Sequence, residues 1–167
     1  MTRITRLLVP TDFSPTSDIA LQYALDIAPP DAAIHVLHVV EDLGVTAAYP
    51  DGFYMESPGL RGELTDEAHK RLQDIVRRAA RPHLTLTTEV LVGWPVAAIV
   101  QDAKSRDADL IVMGTHGRSG LAHALLGSVA ERVLRTAPCP VLTVRDTSRV
   151  GDALAQDVAA SRQAAHA

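Results

Sequence analysis

Along the chain, short unbroken apolar runs alternate with stretches whose apolar residues recur every three or four positions. "ITRLLVP" (Ile4 to Pro10) predicts a first strand. In "TDFSPTSDIALQYALDIA" Ser14 is placed to cap a helix and Pro15 to take its first position. Ile19, Ala20, Tyr23, Ala24 and Ile27 then keep helical spacing. "AIHVLHVV" (Ala33 to Val40) is a β-branched second strand, and "ELTDEAHKRLQDIVRRAA" an amphipathic helix with Leu64, Ala68, Leu72, Ile75, Val76 and Ala79 on one face. "LTLTTEVLV" (Leu84 to Val92) alternates only partly, as a strand near a sheet edge does. "WPVAAIVQDAKSRDA" gives a third helix, with Pro95 at its start and Val96, Ile99, Val100 and Ala103 inward. "ADLIVM", "SVAERVLRTA" and "PVLTVR" complete the series as buried strand, helix and fifth strand.

Strict alternation of strand and helix, with unbroken apolar strands, predicts an α/β fold: a parallel sheet covered by helices on both faces. Right-handed crossovers make it a single doubly wound domain. Two segments depart from the pattern. Residues 41–62 form a long connection rich in turn residues, expected as a surface loop in preference to a lid. The alanine-rich tail, residues 147–167, is expected to be a docked helix or a disordered end beyond a domain spanning 1–146.

In such a sheet, ligands bind beyond the carboxyl ends of the strands, where strand order reverses. Here those ends are "VPTD" after strand one and "VMGTHG" after strand four. The second opens "GTHGRSGLAHALLGS", in which Gly114, Gly117, Gly127 and Ser128 have the spacing G-x2-G-x9-G-[ST]. Gly114 and Gly117 admit positive φ and close approach of a ligand to main-chain N–H groups. Gly127 and Ser128 open the fourth helix, whose free N–H groups and dipole favour phosphate. This is the chemistry of a phosphate cradle. A Walker loop is excluded because no lysine separates Gly127 from Ser128, and a dinucleotide fingerprint because it would follow strand one.

Composition narrows the function classes further. A net charge of −4 without a Lys/Arg block argues against nucleic acid as a partner. The apolar stretch near the N-terminus is too short for a signal peptide or a membrane span, so no membrane association and a cytoplasmic location are expected. The single cysteine, Cys139, has no partner for an internal disulfide and is expected as a small buried hydrophobe. His35 and His38, at odd spacing on a strand, point to opposite faces and form no metal pair. Asp12 has a competing role as a turn residue before Ser14. No carboxylate cluster marks a metal site, and no nucleophile elbow or paired carboxylates mark a catalytic one.

The glycine spacing arises by chance in about one in a hundred chains of this length or fewer, and here it also falls at a strand–helix junction. It resembles the ATP-binding signature of the universal stress protein family, as do "LLVPTDFSPTSDIAL", "LHVVE", "DLIVMGTHGRSGL" and "LLGSVAERVLRTAPCPVLTV". The resemblance implies a Rossmann-like, adenine-nucleotide-binding sheet of five parallel strands in the order 3-2-1-4-5, with four helices. It implies that Pro10, Thr11 and Asp12 lie by the adenosine, the Asp12 carboxylate toward the ribose, and that the Val39 backbone meets the adenine edge. Met113, Gly114 and Gly117 would line the nucleotide, and Gly127, Ser128 and Val129 would hold phosphates; by their place in the loop, His116 and Arg118 either reach the phosphates or face water, and Arg118 is counted with the site. ATP is the expected ligand, with Mg2+ carried on its phosphates. The family also implies a homodimer through strand five, Pro140 to Val144, whose apolar edge is otherwise open. The expected role is nucleotide-dependent regulation in stress response through unknown protein partners, with hydrolysis slow at most. Two other readings stay open: a slow ATPase or nucleotide-transfer enzyme, and a dimeric interaction module that binds no nucleotide.

Overall fold

The computed structural model describes residues 4–41, 58–115 and 127–145, with backbone alone for 58–60. Five parallel strands, β1 (Arg6–Thr11), β2 (Ala33–Glu41), β3 (Thr85–Gly93), β4 (Leu110–Gly114) and β5 (Val141–Val144), lie in the order β3-β2-β1-β4-β5. Between them run α1 (Pro15–Ile27), α2 (Pro58–Ala79), α3 (Pro95–Ser105) and α4 (Ser128–Thr136). The doubly wound sheet expected from the alternating pattern is the fold observed.

The winding reverses after β3, which puts the helices on the two faces in pairs. One core joins Ala20, Ala24 and Leu25 of α1 and Leu72, Ile75 and Ala79 of α2 to Leu7, Val9, Ile34, Val36 and Val112. The other joins Ile99 and Ala103 of α3 and Ala130 and Val133 of α4 to Leu8, Leu37, Ile111 and Met113. Central strands are therefore apolar on both faces. β3 and β5, at the edges, are covered less fully.

Three differences from the sequence expectations have physical causes. The inward stripe of α1 is Ala20, Leu21, Ala24 and Leu25, while Tyr23 and Ile27 face solvent. Both sets flank the same two alanines, and the lie of the helix on the sheet decides between them. Helix α2 begins at Pro58, inside the segment expected to be loop; Pro58 takes a first helical turn, where its missing N–H is harmless. Leu64, placed on the inward face of α2, is 45% exposed. Residues 42–57 and the tail after Arg145 lie outside the described residues.

Ser14 does cap α1, its hydroxyl accepting from Ser17 N at 3.3 Å with Pro15 next in line. At the opposite end of the sheet, the Asp109 carboxylate ties β1 to the start of β4. It accepts from the Thr5 and Arg6 amides, both at 2.9 Å, from the Thr5 hydroxyl at 3.1 Å and from the Arg6 guanidinium at 3.1 Å. The Arg6 bond and these amide bonds hold Asp109 well below the usual carboxylate range.

Candidate functional site

A crevice opens where β1 and β4 part. Their register pairs Leu7 with Leu110 and Leu8 with Ile111, whereas β4 stays paired with β5 as far as Gly114–Val144. On the other side the β1–β2 ladder ends at Thr11–His38, while β2 continues beside β3 to Glu41–Gly93. Val39 and Val40 therefore run past the end of β1, and their main chain borders the gap. The result is a cavity of about 650 Å³, within the range of small-ligand sites.

Of the eleven residues expected at the site, Pro10, Thr11, Asp12, Val39, Met113, Gly114, Gly127, Ser128 and Val129 all line this cavity. Gly117 and Arg118 lie outside the described residues. Topology brings the nine together from four separate segments of the chain, at the reversal point the alternating pattern implied.

The β1–α1 corner is held by a hydrogen-bond relay. Phe13 N donates to Thr11 Oγ1 at 3.0 Å, and Ser17 Oγ donates to the Ser14 carbonyl at 2.8 Å. With the Ser17 proton so used, the 3.0 Å contact between the Thr11 and Ser17 hydroxyls has Thr11 as donor. Asp12 Oδ1 accepts from Ser14 N at 3.1 Å, so the turn role weighed for Asp12 is real, and the same residue also lines the cavity. Phe13 sits at φ 62°, a left-handed conformation costing about 1–3 kcal/mol for a bulky residue. The strain persists because the relay and two ring contacts over-determine the corner: His38 lies 4.2 Å from the Phe13 ring centre, and the Arg71 guanidinium 4.1 Å above it.

On the other wall, Gly127 N donates to the Thr115 carbonyl at 2.6 Å, and Gly127 caps α4 with no side-chain hydrogen bond. The first helical bond of α4 is Glu131 N to the Gly127 carbonyl. Ser128 and Val129, in the first turn of α4, line the cavity at the positive end of the helix dipole, where first-turn amides have no intrahelical partner. The residues fit an anionic ligand.

Gly114 corrects the reasoning from sequence. Its φ is not positive, since Gly93 alone among the described glycines has that conformation. A Cβ at Gly114 would instead meet Thr16, 3.0 Å from Cγ2 and 3.2 Å from the backbone carbon. This glycine admits the first turn of α1 against β4. Gly127, at φ −70°, likewise has ordinary backbone.

Sequence reasoning missed Phe13, His38 and Arg71 as cavity residues. His38 donates from Nδ1 to the Thr11 carbonyl at 2.7 Å, and Arg71 arrives from α2. Alternation along β2 gave His38 a face opposite to His35, as observed, but only tertiary packing put α2 over that face.

His35, on the other face, is buried beneath α3. Its Nδ1 lies 2.8 Å from the Thr87 hydroxyl, and its Nε2 faces Glu89 and Asp102. Burial, and then the nearby Arg106 charge, push the imidazole below its ordinary pKa against the opposing pull of the two carboxylates. Arg106 Nε donates to Asp102 Oδ1 at 2.8 Å, and Arg106 also pairs with Glu89. Cys139 is half-buried against the α3–α4 core, and burial raises its thiol pKa.

The fold and the crevice at its reversal point define a Rossmann-like, doubly wound α/β protein. Residues 3–145 match the universal stress protein family, and the chain belongs to it. It is 38% identical over 141 residues to the universal stress protein MJ0531 of Methanocaldococcus jannaschii, covering 84% of this chain and 81% of that one. The structure of a second protein of that organism, MJ0577, superposes with a TM-score of 0.76 at 30% identity, covering 87% of this chain and 98% of that one. A universal stress protein solved in complex with cAMP superposes with a TM-score of 0.56 at 28% identity, covering 86% of this chain and 98% of that one. Among the described residues no helix is long and apolar enough to cross a membrane.

Proposed function

We propose that this chain is an ATP-binding universal stress protein in which bound nucleotide sets the conformation presented to protein partners. The observation that carries this reading is the α4 N-terminus, where the cap residue Gly127 offers no side chain and the first turn lines the crevice beside the β1–α1 corner. Gly127, Ser128 and Val129 hold the phosphates there, joined by Gly117 and Arg118 from the glycine loop. Asp12 accepts from the ribose hydroxyls, Val39 offers main-chain groups to the adenine edge, and Pro10, Thr11, Met113 and Gly114 line the base and sugar. A Mg2+ ion enters with the phosphates, whose charge it partly neutralises.

The adenine assignment draws on the relative solved with cAMP, and the preference for ATP on the resemblance of the G-x2-G-x9-G-[ST] spacing to the family's ATP-binding signature. Universal stress proteins are in general regulatory nucleotide-binding proteins without a catalytic role. Hydrolysis is slow at most: the main-chain amides and helix dipole at the start of α4 bind phosphate charge but move no proton. The homodimer pairs β5 with its copy in a second chain; the strand's outer edge has no neighbour among the described strands.

Calorimetric titration of the nucleotide-free protein with ATP, ADP, AMP and cAMP tests the reading. Saturable binding is expected, tightest for ATP and weakened by Ser128→Pro, which removes one first-turn amide while remaining compatible with a helix start. Absence of binding by all four would overturn it and leave an interaction module.

A further inference from the structure

On the sheet face covered by α3, three ligand-type side chains from three elements converge one layer beneath the cavity. His35 lies two residues before Leu37 on β2, and Asp102 one turn after Ile99 on α3; Leu37 and Ile99 themselves line the cavity. Glu89 joins them from β3, opposite Leu37 in the sheet register. His35 Nε2 stands 3.6 Å from Glu89 Oε2 and 3.7 Å from Asp102 Oδ2, and the three ligand atoms lie within 4.8 Å of one another.

These separations exceed hydrogen-bond length. They are close to the ~3.4 Å between neighbouring ligand atoms in a tetrahedron with bonds of about 2.0–2.2 Å, the geometry of zinc-type sites. The side chains of His35 and Asp102 are only 8% and 6% exposed. Even so, His35 Nε2 and Asp102 Oδ2 have no hydrogen-bond partner among the described residues. Buried polar atoms without partners are rare, because desolvation is then uncompensated. Here both point into the same gap.

The surroundings match those of a metal ligand set. The Thr87 hydroxyl lies 2.8 Å from His35 Nδ1 and holds the ring's orientation; with Nε2 on a metal, it would accept the Nδ1 proton. Arg106 holds Asp102 through Oδ1, which leaves Oδ2 turned to the gap. Two carboxylates against one guanidinium keep the cluster negative. Arg106 also binds Glu89 through Oε2, so a metal takes the other Glu89 oxygen or displaces that contact. Glu89, 37% exposed, is free enough to do either and provides the entry path.

We propose that His35, Glu89 and Asp102 form a binding site for a transition-metal dication of zinc type, with water completing the tetrahedron. The site is separate from any ion carried on nucleotide phosphates, and the proposal does not depend on the nucleotide reading.

Titration of the nucleotide-free full chain with Co2+, followed by its visible ligand-field bands, tests this. One equivalent should bind with tetrahedral bands and be displaced by Zn2+. Glu89→Gln, at a half-exposed position that leaves the fold intact, should weaken binding by at least about tenfold. Because the chain has seven histidines, the site is read directly as well: Zn2+ should shift the His35 Nε2 nitrogen resonance in the wild-type protein. An unmoved His35 resonance at saturating Zn2+, or equal Co2+ affinity in wild type and Glu89→Gln, would overturn the proposal.

Discussion

Gly114→Ala separates two roles that the glycine motif runs together. The added Cβ would sit 3.0 Å from Thr16 Cγ2, 3.2 Å from the Thr16 backbone carbon and 3.3 Å from Thr16 Cβ. A flexible side chain would give way cheaply, but two of these three atoms belong to the stem and backbone of α1. That first turn is pinned by the Ser14 cap, the Asp12 contact to Ser14 N and the Thr11–Ser17 hydroxyl pair. The strain therefore falls on the packing of α1 against β4, and overpacking of this kind costs about 1–3 kcal/mol. For a chain of this size the melting temperature should drop by about 2–12 °C, read by thermal unfolding followed by circular dichroism. Thr16→Ser removes the nearest carbon and should recover part of the loss, with a coupling of about 0.5–1 kcal/mol in the double-mutant cycle. The Cβ meets Thr16, which is not among the residues lining the cavity, so ATP affinity of the folded variant should change by less than about tenfold. An unaltered melting temperature together with abolished nucleotide binding would refute this reasoning, and would place the need for glycine in the ligand.

Three further outcomes are expected. Asp12→Asn keeps an oxygen for Ser14 N but loses its charge, so ATP should bind about tenfold more weakly with stability nearly unchanged; equal affinity by calorimetry would remove Asp12 from the ribose. Asp109 is held below the usual carboxylate range in the folded chain, so the unfolded chain takes up its proton first as pH falls below about 4. Its stabilisation is full above that pH and is lost as acid is added; Asp109→Asn should flatten the acid side of the stability–pH curve and cost about 1–2 kcal/mol at neutral pH. Leu72→Ala, at a position 1% exposed between α2 and the sheet, should cost about 2–5 kcal/mol, lowering the urea midpoint without changing the slope.

The sequence by itself determined the layering and the place of the crevice. Unbroken apolar strands can be satisfied only by helices on both faces, and right-handed crossovers then leave few windings; of the eleven residues expected at the site, largely from the family resemblance, nine meet at one cavity. Local signals were also legible wherever a residue acts on its own backbone, as Ser14 and Pro15 do at the start of α1. What only the tertiary structure decided concerns contacts between segments distant in the chain. Whether Leu21 or Tyr23 turns inward depends on how α1 lies across the sheet, since both flank the same alanines. The reason for Gly114 is a helix turn nearly a hundred residues earlier in the chain. Phe13, His38 and Arg71 form one stack, and His35, Glu89 and Asp102 one polar cluster, only because strands and helices far apart in sequence share a face. Periodicity reports which face a side chain takes; the partner it meets there is set by packing, which no local pattern encodes.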